Sequence, residues 1–224
     1  MNRIGIIGAM GSEVEHLREM MRGREETVAA GRTFYAGKIG DIDVVLVCSG
    51  IGKVNSAMSA QILIDRFGVD AIINTGIAGG AKDAKVRDVV ISTKAAYHDM
   101  ELRLVALSHP YMEQFAADKA LVQKAQKACA DCGITCHLGK IATGDQFISD
   151  KAVKDDIVSR LDPNAVEMEG GAVAHVCAAN GVPFVIIRSI SDNADDEAEM
   201  DFDTFEQLAA DDAAKIVVSM LKQM

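Results

Sequence analysis

The chain has 224 residues, with 33 Asp and Glu against 23 Lys and Arg, a formal net charge of −10. With 49% apolar and 25% charged residues it is excluded from the disordered polyanions, and 4% aromatics with no Trp mark a core built on aliphatic side chains. Such an acidic chain has no electrostatic footprint for nucleic acid or an anionic membrane, and no stretch reaches the roughly 20 continuous apolar residues of a membrane span.

The first element, residues 3–8, is a short β-branched run that predicts a buried strand. Residues 13–21 place Val14, Leu17, Met20 and Met21 at helical spacing. Residues 33–39 and 42–48 predict two strands joined by a turn at Gly40-Asp41. Residues 53–67 predict an amphipathic helix closed by Gly68. A buried strand over 71–75 runs into the glycine-rich stretch 76–80, and 88–96 predicts a further strand. A helix over 118–130 stops before Gly133, followed by a strand over 134–142, a helix over 151–161 and a short strand over 165–167. The longest stretch without formal charge, 170–187, is broken by Asn180, Gly181 and Pro183, so it predicts a helix over 169–179, a turn and a strand over 184–190. A terminal helix spans 204–221.

Strands alternating with helices, several apolar on both faces, predict an α/β fold. Without an internal repeat or linker the expectation is one domain, residues 1–224, with a central mixed, mostly parallel twisted sheet flanked by helices. The short apolar stretch at the start runs straight into Glu13 and Glu15, unlike a signal peptide. Five Cys, odd and sparse, imply no disulfide framework, so the expected compartment is the cytoplasm.

Sheets of this kind bind ligands beyond the carboxyl ends of their strands. The unusual residues fall there: Gly8-Ala9-Met10, Ser49-Gly50-Ile51-Gly52, the 76–80 glycines, Glu167-Met168-Glu169 and Ser191-Asp192. Gly5, Gly8 and Gly11 are spaced G-x-x-G-x-x-G, which is not the dinucleotide fingerprint. In extended geometry Glu167 and Glu169 share a face; they read either as a working carboxylate pair or as acids favoured at a helix N-terminus. Asp192 ends an apolar strand, where desolvation raises a carboxyl pKa and suits a general acid; the alternative is a turn or cap Asp beside Asn193, Asp195 and Asp196. Cys129, Cys132, Cys136 and His137 lack the second ligand pair of a zinc site, so no metal is expected. His98-Asp99 is a weak ligand or catalytic pair, and neither Ser49 nor Ser191 has a G-x-S-x-G setting.

Taken together, the blocks Gly5-Ile6-Ile7-Gly8-Ala9-Met10 with Glu13, Ser49-Gly50-Ile51-Gly52-Lys53-Val54, Asn74-Thr75-Gly76-x-Ala78-Gly79-Gly80, Gly144-Asp145-x-Phe147-Ile148, Val166-Glu167-Met168-Glu169 and Arg188-Ser189-Ile190-Ser191-Asp192 resemble the 5′-methylthioadenosine/S-adenosylhomocysteine nucleosidases of the nucleoside phosphorylase superfamily over essentially the whole chain. The resemblance implies a nucleoside phosphorylase-like fold and hydrolysis of the N-glycosidic bond of 5′-substituted adenosines, releasing adenine. It implies Asp192 as the acid that protonates adenine N7, Glu13 as the residue that activates water, Arg188 near Glu13 and that water, and Glu169 on the ribose hydroxyls. Met168 would pack under the nucleoside, Phe147 would stack on adenine, and the Ile148 backbone would read its edge. Met10, Ile51 and Phe202 would form an apolar 5′ pocket, with Ala9, Gly79, Glu167 and Ser191 as further substrate contacts. It also implies a homodimer working in methionine salvage, with no metal or organic cofactor.

Two departures stand out. Ile77 occupies a position where Ser is common in the family, which predicts a missing hydrogen bond near the ribose or water. Residues 100–117 depart from the family's aromatic segment, leaving the 5′ preference open, with Pro110 and Tyr111 as substitutes. The competing readings are a purine nucleoside phosphorylase, disfavoured by Glu13 where phosphate would sit, an aminodeoxyfutalosine hydrolase using the same bond and residues, and a non-catalytic nucleoside-binding protein. Most of the acidic excess, including Asp195, Asp196, Glu197 and Glu199, is expected on the solvated surface.

Overall fold

The strand Arg3–Gly8 (β1) lies deep in the molecule because helices cover both of its faces. Ile4 and Ile6 pack into one apolar cluster and Ile7 into another, as the alternation of strand side chains requires. The same division holds in the neighbouring strands, where Ile73 faces one side and Ile72 the other, and Ile187 one and Ile186 the other. Each such side chain, when fully buried, contributes about 1.5–3 kcal/mol. The computed structural model describes residues 3–195 and 198–224, and only the backbone of 199–201 and 203. The surface expectation for Asp196, Glu197 and the Glu199 side chain therefore lies outside the described residues; Asp195 stands 3.9 Å from Lys154.

The chain continues with α1 (Gly11–Met20), β2 (Arg22–Ala29), β3 (Arg32–Ile39), β4 (Ile42–Cys48), α2 (Lys53–Phe67), β5 (Ala71–Gly80) and β6 (Val89–Tyr97). Next come α3 (Leu102–Val105), β7 (Phe115–Ala116), α4 (Lys119–Cys132), β8 (Cys136–Thr143), α5 (Lys151–Leu161), β9 (Ala165–Glu167), α6 (Gly170–Asn180), β10 (Phe184–Asp192) and α7 (Ala198–Leu221). Helices α1, α4 and α7 cover one apolar cluster, and α2 and α6 the other. Left-handed glycines close three helices: Gly68 after α2, Gly133 after α4 and Gly181 after α6, with φ of 59°, 68° and 66°.

The expected mixed sheet is present, with parallel pairing at its centre: β4-β1-β5-β10 in one block and β6-β8-β9 in another. Antiparallel pairs join the blocks, β10 to β6 and β9 to β5, so the strands β5, β10, β6, β8 and β9 close into a ring. Two readings change. The stretch 76–80, expected as a loop, continues β5 to Gly80 with all ten residues of the strand buried, and its last two residues pair with β9 to complete the ring. The segment Arg22–Ala29 carries no strand signal, since seven of its eight residues are exposed, yet it pairs with β3 and forms the free edge of the sheet.

Candidate active site

The strand ends converge on a cavity of about 280 Å³. Its wall includes Ala9, Met10 and Glu13 from the β1–α1 turn, Ile51 from the β4–α2 turn, Gly79 from β5, and Phe147 and Ile148 from the β8–α5 loop. Glu167, Met168 and Glu169 follow from β9, Ser191 and Asp192 from β10, and Phe202 from α7. Arg188 alone of the expected site residues does not line it: the guanidinium is buried directly behind the carboxylates. Ile77, singled out near the ribose or water, also lines the cavity, as do Ala78, Gln146 and Val166, which were not among the expected site residues.

Glu13 sits at the third position of α1 and folds back on the turn before it. Its Oε2 accepts the Ala9 and Met10 N–H groups at 2.6 and 3.0 Å, and its Oε1 accepts the Ile77 N–H at 3.0 Å. Burial pushes its carboxyl above the ordinary value, against the lowering pull of Arg188 and these N–H groups. The anchor on β5 is the backbone N–H of residue 77. The Ile77 side chain instead packs against Ala209 and Ala210 of α7, with Met10 and Phe202 alongside. Gly76 is glycine for space: a Cβ there would lie 2.7 Å from both Glu13 Cδ and Arg188 Nη1.

Glu169 caps α6, and its Oε1 accepts the Gly52 N–H at 2.8 Å. Gly52 holds φ at 98°, a left-handed value that glycine adopts freely. Burial first, then repulsion from Glu167 and Glu13, raise the Glu169 carboxyl to about 7, although Arg188 and Gly52 oppose them. Glu167 is held by the protein chiefly through one oxygen. Its Oε2 accepts from the Glu169 and Gly170 N–H groups at 3.1 and 2.7 Å and from Arg188 Nε and Nη2, and its Oε1 accepts from the Thr143 hydroxyl. Of the two sequence readings, the contacts at the N-terminus of α6 are seen directly for Glu167, and its charge repels that of Glu169. Arg188 gives a further hydrogen bond to Asn74 Oδ1 at 2.8 Å. Burial opposes its charge, but Glu167, Glu169 and Glu13 hold its pKa above the ordinary value.

Asp192 ends β10 and is 1% exposed. A register shift between Ile190 and Asp192, opposite Ala78 and Gly79, turns the strand end. Its Oδ1 accepts the Ala194 N–H at 2.7 Å and its Oδ2 the Ser191 hydroxyl at 2.8 Å. The turn geometry weighed as an alternative therefore coexists with a carboxyl facing the cavity. Gly79 leaves room for it, since a Cβ there would lie 2.9 Å from Asp192 Oδ1.

Phe147 and Phe202 meet edge to face across the cavity, ring centres 5.6 Å apart. The loop carrying Phe147 is held by Asp99, which accepts from Lys53 Nζ at 2.7 Å and the Asp145 N–H at 2.9 Å, while Asp145 accepts the Lys53 N–H at 2.8 Å. His98 and Asp99 do not line the cavity, nor do Pro110 and Tyr111; no described residue of 100–117 does. Among the described residues no group of three or more His, Cys, Asp and Glu side chains could hold a metal. His137 bonds Asp88, and burial raises the Cys129 thiol.

The arrangement is a largely apolar chamber with four buried acids, Glu13, Glu167, Glu169 and Asp192, in its wall. A family model described as the phosphorylase superfamily matches residues 3–222. A protein of Exiguobacterium sp. named 5′-methylthioadenosine/S-adenosylhomocysteine nucleosidase is 42% identical over 231 residues, covering 99% of this chain and 98% of that one. The crystal structure of the Neisseria meningitidis nucleosidase of the same name, in complex with methylthio-immucillin-A, superposes with a TM-score of 0.95 at 37% identity and full coverage of both chains. A structure described as a futalosine hydrolase mutant of Helicobacter pylori superposes with a TM-score of 0.93 at 34% identity, again over both full chains.

Proposed function

Because this chain belongs to the phosphorylase superfamily, and within it to the 5′-methylthioadenosine/S-adenosylhomocysteine nucleosidases, we propose that it hydrolyses the N-glycosidic bond of 5′-substituted adenosines. One observation carries the choice of water over phosphate. Among the described residues lining the cavity there is no Lys or Arg, and the nearest guanidinium, Arg188, is already bound by Glu167 and Asn74. A phosphate mono- or dianion would meet Glu13 and Glu169 with no free cation to balance it.

In the reaction the C1′–N9 bond breaks with its electron pair leaving on adenine. Asp192 gives its proton to N7, so the base departs neutral. The ribosyl cation forms beside Glu169, whose carboxylate takes the ribose hydroxyls and favours positive charge. Water adds at C1′ and passes its proton to Glu13, whose raised pKa makes it a better base than a solvated carboxylate. Phe147 and Met168 pack against the nucleoside, Ile148 meets the adenine edge, and Met10, Ile51 and Phe202 surround the 5′ group. An apolar 5′ pocket discriminates weakly between thioethers, about 1 kcal/mol per methylene.

The test is adenine release from methylthioadenosine with and without phosphate. Equal rates are expected, with free 5-methylthioribose as product; a strict phosphate requirement would make the enzyme a phosphorylase. Running aminodeoxyfutalosine alongside ranks the substrates. Replacing Gly76 by Ala is expected to cut turnover about 100-fold with the fold retained by circular dichroism, because its Cβ would force Glu13 away from Arg188 by about an ångström. Undiminished turnover would show that the spacing is not needed.

The working unit we propose is a homodimer acting in the cytoplasm in methionine salvage. Supporting the dimer, Ile51, Val54, Met100, Leu104, Leu107 and Tyr111 are all exposed, Val54 by 77%. Light scattering should give twice the chain mass. For the compartment, no described helix is long and apolar enough to cross a membrane.

A further inference from the structure

We propose that Glu167 is a positioning residue for the glycosidic cleavage, acting through Arg188 and the first turn of α6 to set the charge and place of both Glu13 and Glu169. The inference rests on the nucleosidase reading above for the roles of those two acids, but not for the geometry. Five hydrogen-bond contacts converge on the Glu167 carboxylate: two backbone N–H groups, both Arg188 contacts and the Thr143 hydroxyl. Four of these contacts fall on Oε2 and the Thr143 hydroxyl on Oε1, so the carboxylate is fixed by the protein even though Glu167 borders the cavity.

Its bonds lead to both working acids. The N–H it accepts from Glu169 fixes the backbone of that residue, and Glu169 Oε2 stands 3.7 Å from Arg188 Nη2. On the other side, Arg188 Nη1 and Glu13 meet at the space left by Gly76. One guanidinium thus serves three carboxylates, and Glu167 takes two of its N–H groups. Arg188 is thereby held between Glu13 and Glu169 without neutralising either by a close ion pair. If Glu167 released it, Arg188 would close on Glu169, damping the negative charge that should face the ribosyl cation.

The groups facing Glu169 are Glu167 from β9, Arg188 from β10, Glu13 from α1 and the Gly52 N–H before α2, with Asp192 across the cavity. Tyr97 and His98 at the end of β6 feel the charge of Glu167. Removing the Glu167 charge takes away a repulsion from Glu169 and frees Arg188, and both changes lower the Glu169 carboxyl.

The experiment is Glu167→Gln, read by carboxyl carbon-13 NMR titration of glutamate-labelled protein and by kcat against pH, with thermal unfolding as a control. The expected result is a Glu169 titration about half a unit or more lower, the acid limb of kcat moved down with it, and kcat reduced about tenfold or more. A folded variant whose Glu169 titration is unmoved overturns the proposal, even if kcat or stability falls, because that is what a merely structural Glu167 would give. If the variant does not fold, Thr143→Val replaces it. Loss of the hydroxyl leaves the Glu167 charge less neutralised, so the Glu169 titration should rise; no rise overturns the proposal. The wild-type assay separately reports the nucleosidase reading, and the titration stands whether or not adenine is released.

Discussion

Asp192→Asn is expected to abolish nearly all turnover while still binding substrate. A general acid contributes about 10²–10⁴-fold, and adenine is a poor anion, so the loss should fall in the upper part of that range. Asn retains an oxygen to accept the Ala194 N–H and fits the same turn beside Ser191. It has no acidic proton to give. The substrate Kd, measured by calorimetry, should change by less than about tenfold, since most of the cavity wall is apolar and untouched. A kcat within a few-fold of wild type would remove Asp192 from the proton path.

Glu13→Gln carries the second largest expected loss, about 10²–10³-fold in kcat. The carboxylate accepts three backbone N–H groups through two oxygens, Ala9 and Met10 on one and Ile77 on the other. Glutamine has one oxygen, so its amide NH₂ must face at least one of these donors. The variant loses the base for water and also the hydrogen bond that ties α1 to β5. Single-turnover adenine release separates the two losses from product departure. A release rate within fivefold of wild type would show that water needs no base at this position.

Much of the fold was legible because the helices and buried strands declare themselves locally. The apolar runs at β1 and β10, the spacing in α2 and the glycines at 68, 133 and 181 each follow from the side chain alone. The ring was not legible. It depends on β5 continuing through Gly76–Gly80, and glycines favour loops until neighbouring backbones pair with them, as β9 and β10 do here. Strand β2 was not legible either, since its residues face solvent and its order comes only from pairing with β3.

At the site, sequence blocks indicated which residues gather, but not what holds each one. Arg188 was expected beside Glu13; the structure places it behind three acids, anchored by Asn74 and Glu167, partners separated from it by 114 and 21 positions. What residue 77 gives Glu13 was not legible: its backbone N–H donates to Glu13, a bond that any side chain there would leave in place. Residues 100–117 left the 5′ preference open, and within one chain none of them lines the cavity.

The ring distributes recognition over separate pieces of chain. On the proposed reading the base loop follows β8, the ribose acid follows β9, the proton donor ends β10, and the 5′ wall is assembled from the ends of β1 and β4 and the start of α7. No single segment carries two of these duties. Substitutions at Ile51 or Phe202 would therefore alter the 5′ wall without displacing Asp192 or Glu169. A frame arranged this way separates the rim that would meet the 5′ tail from the buried acids, so each can be altered without the other.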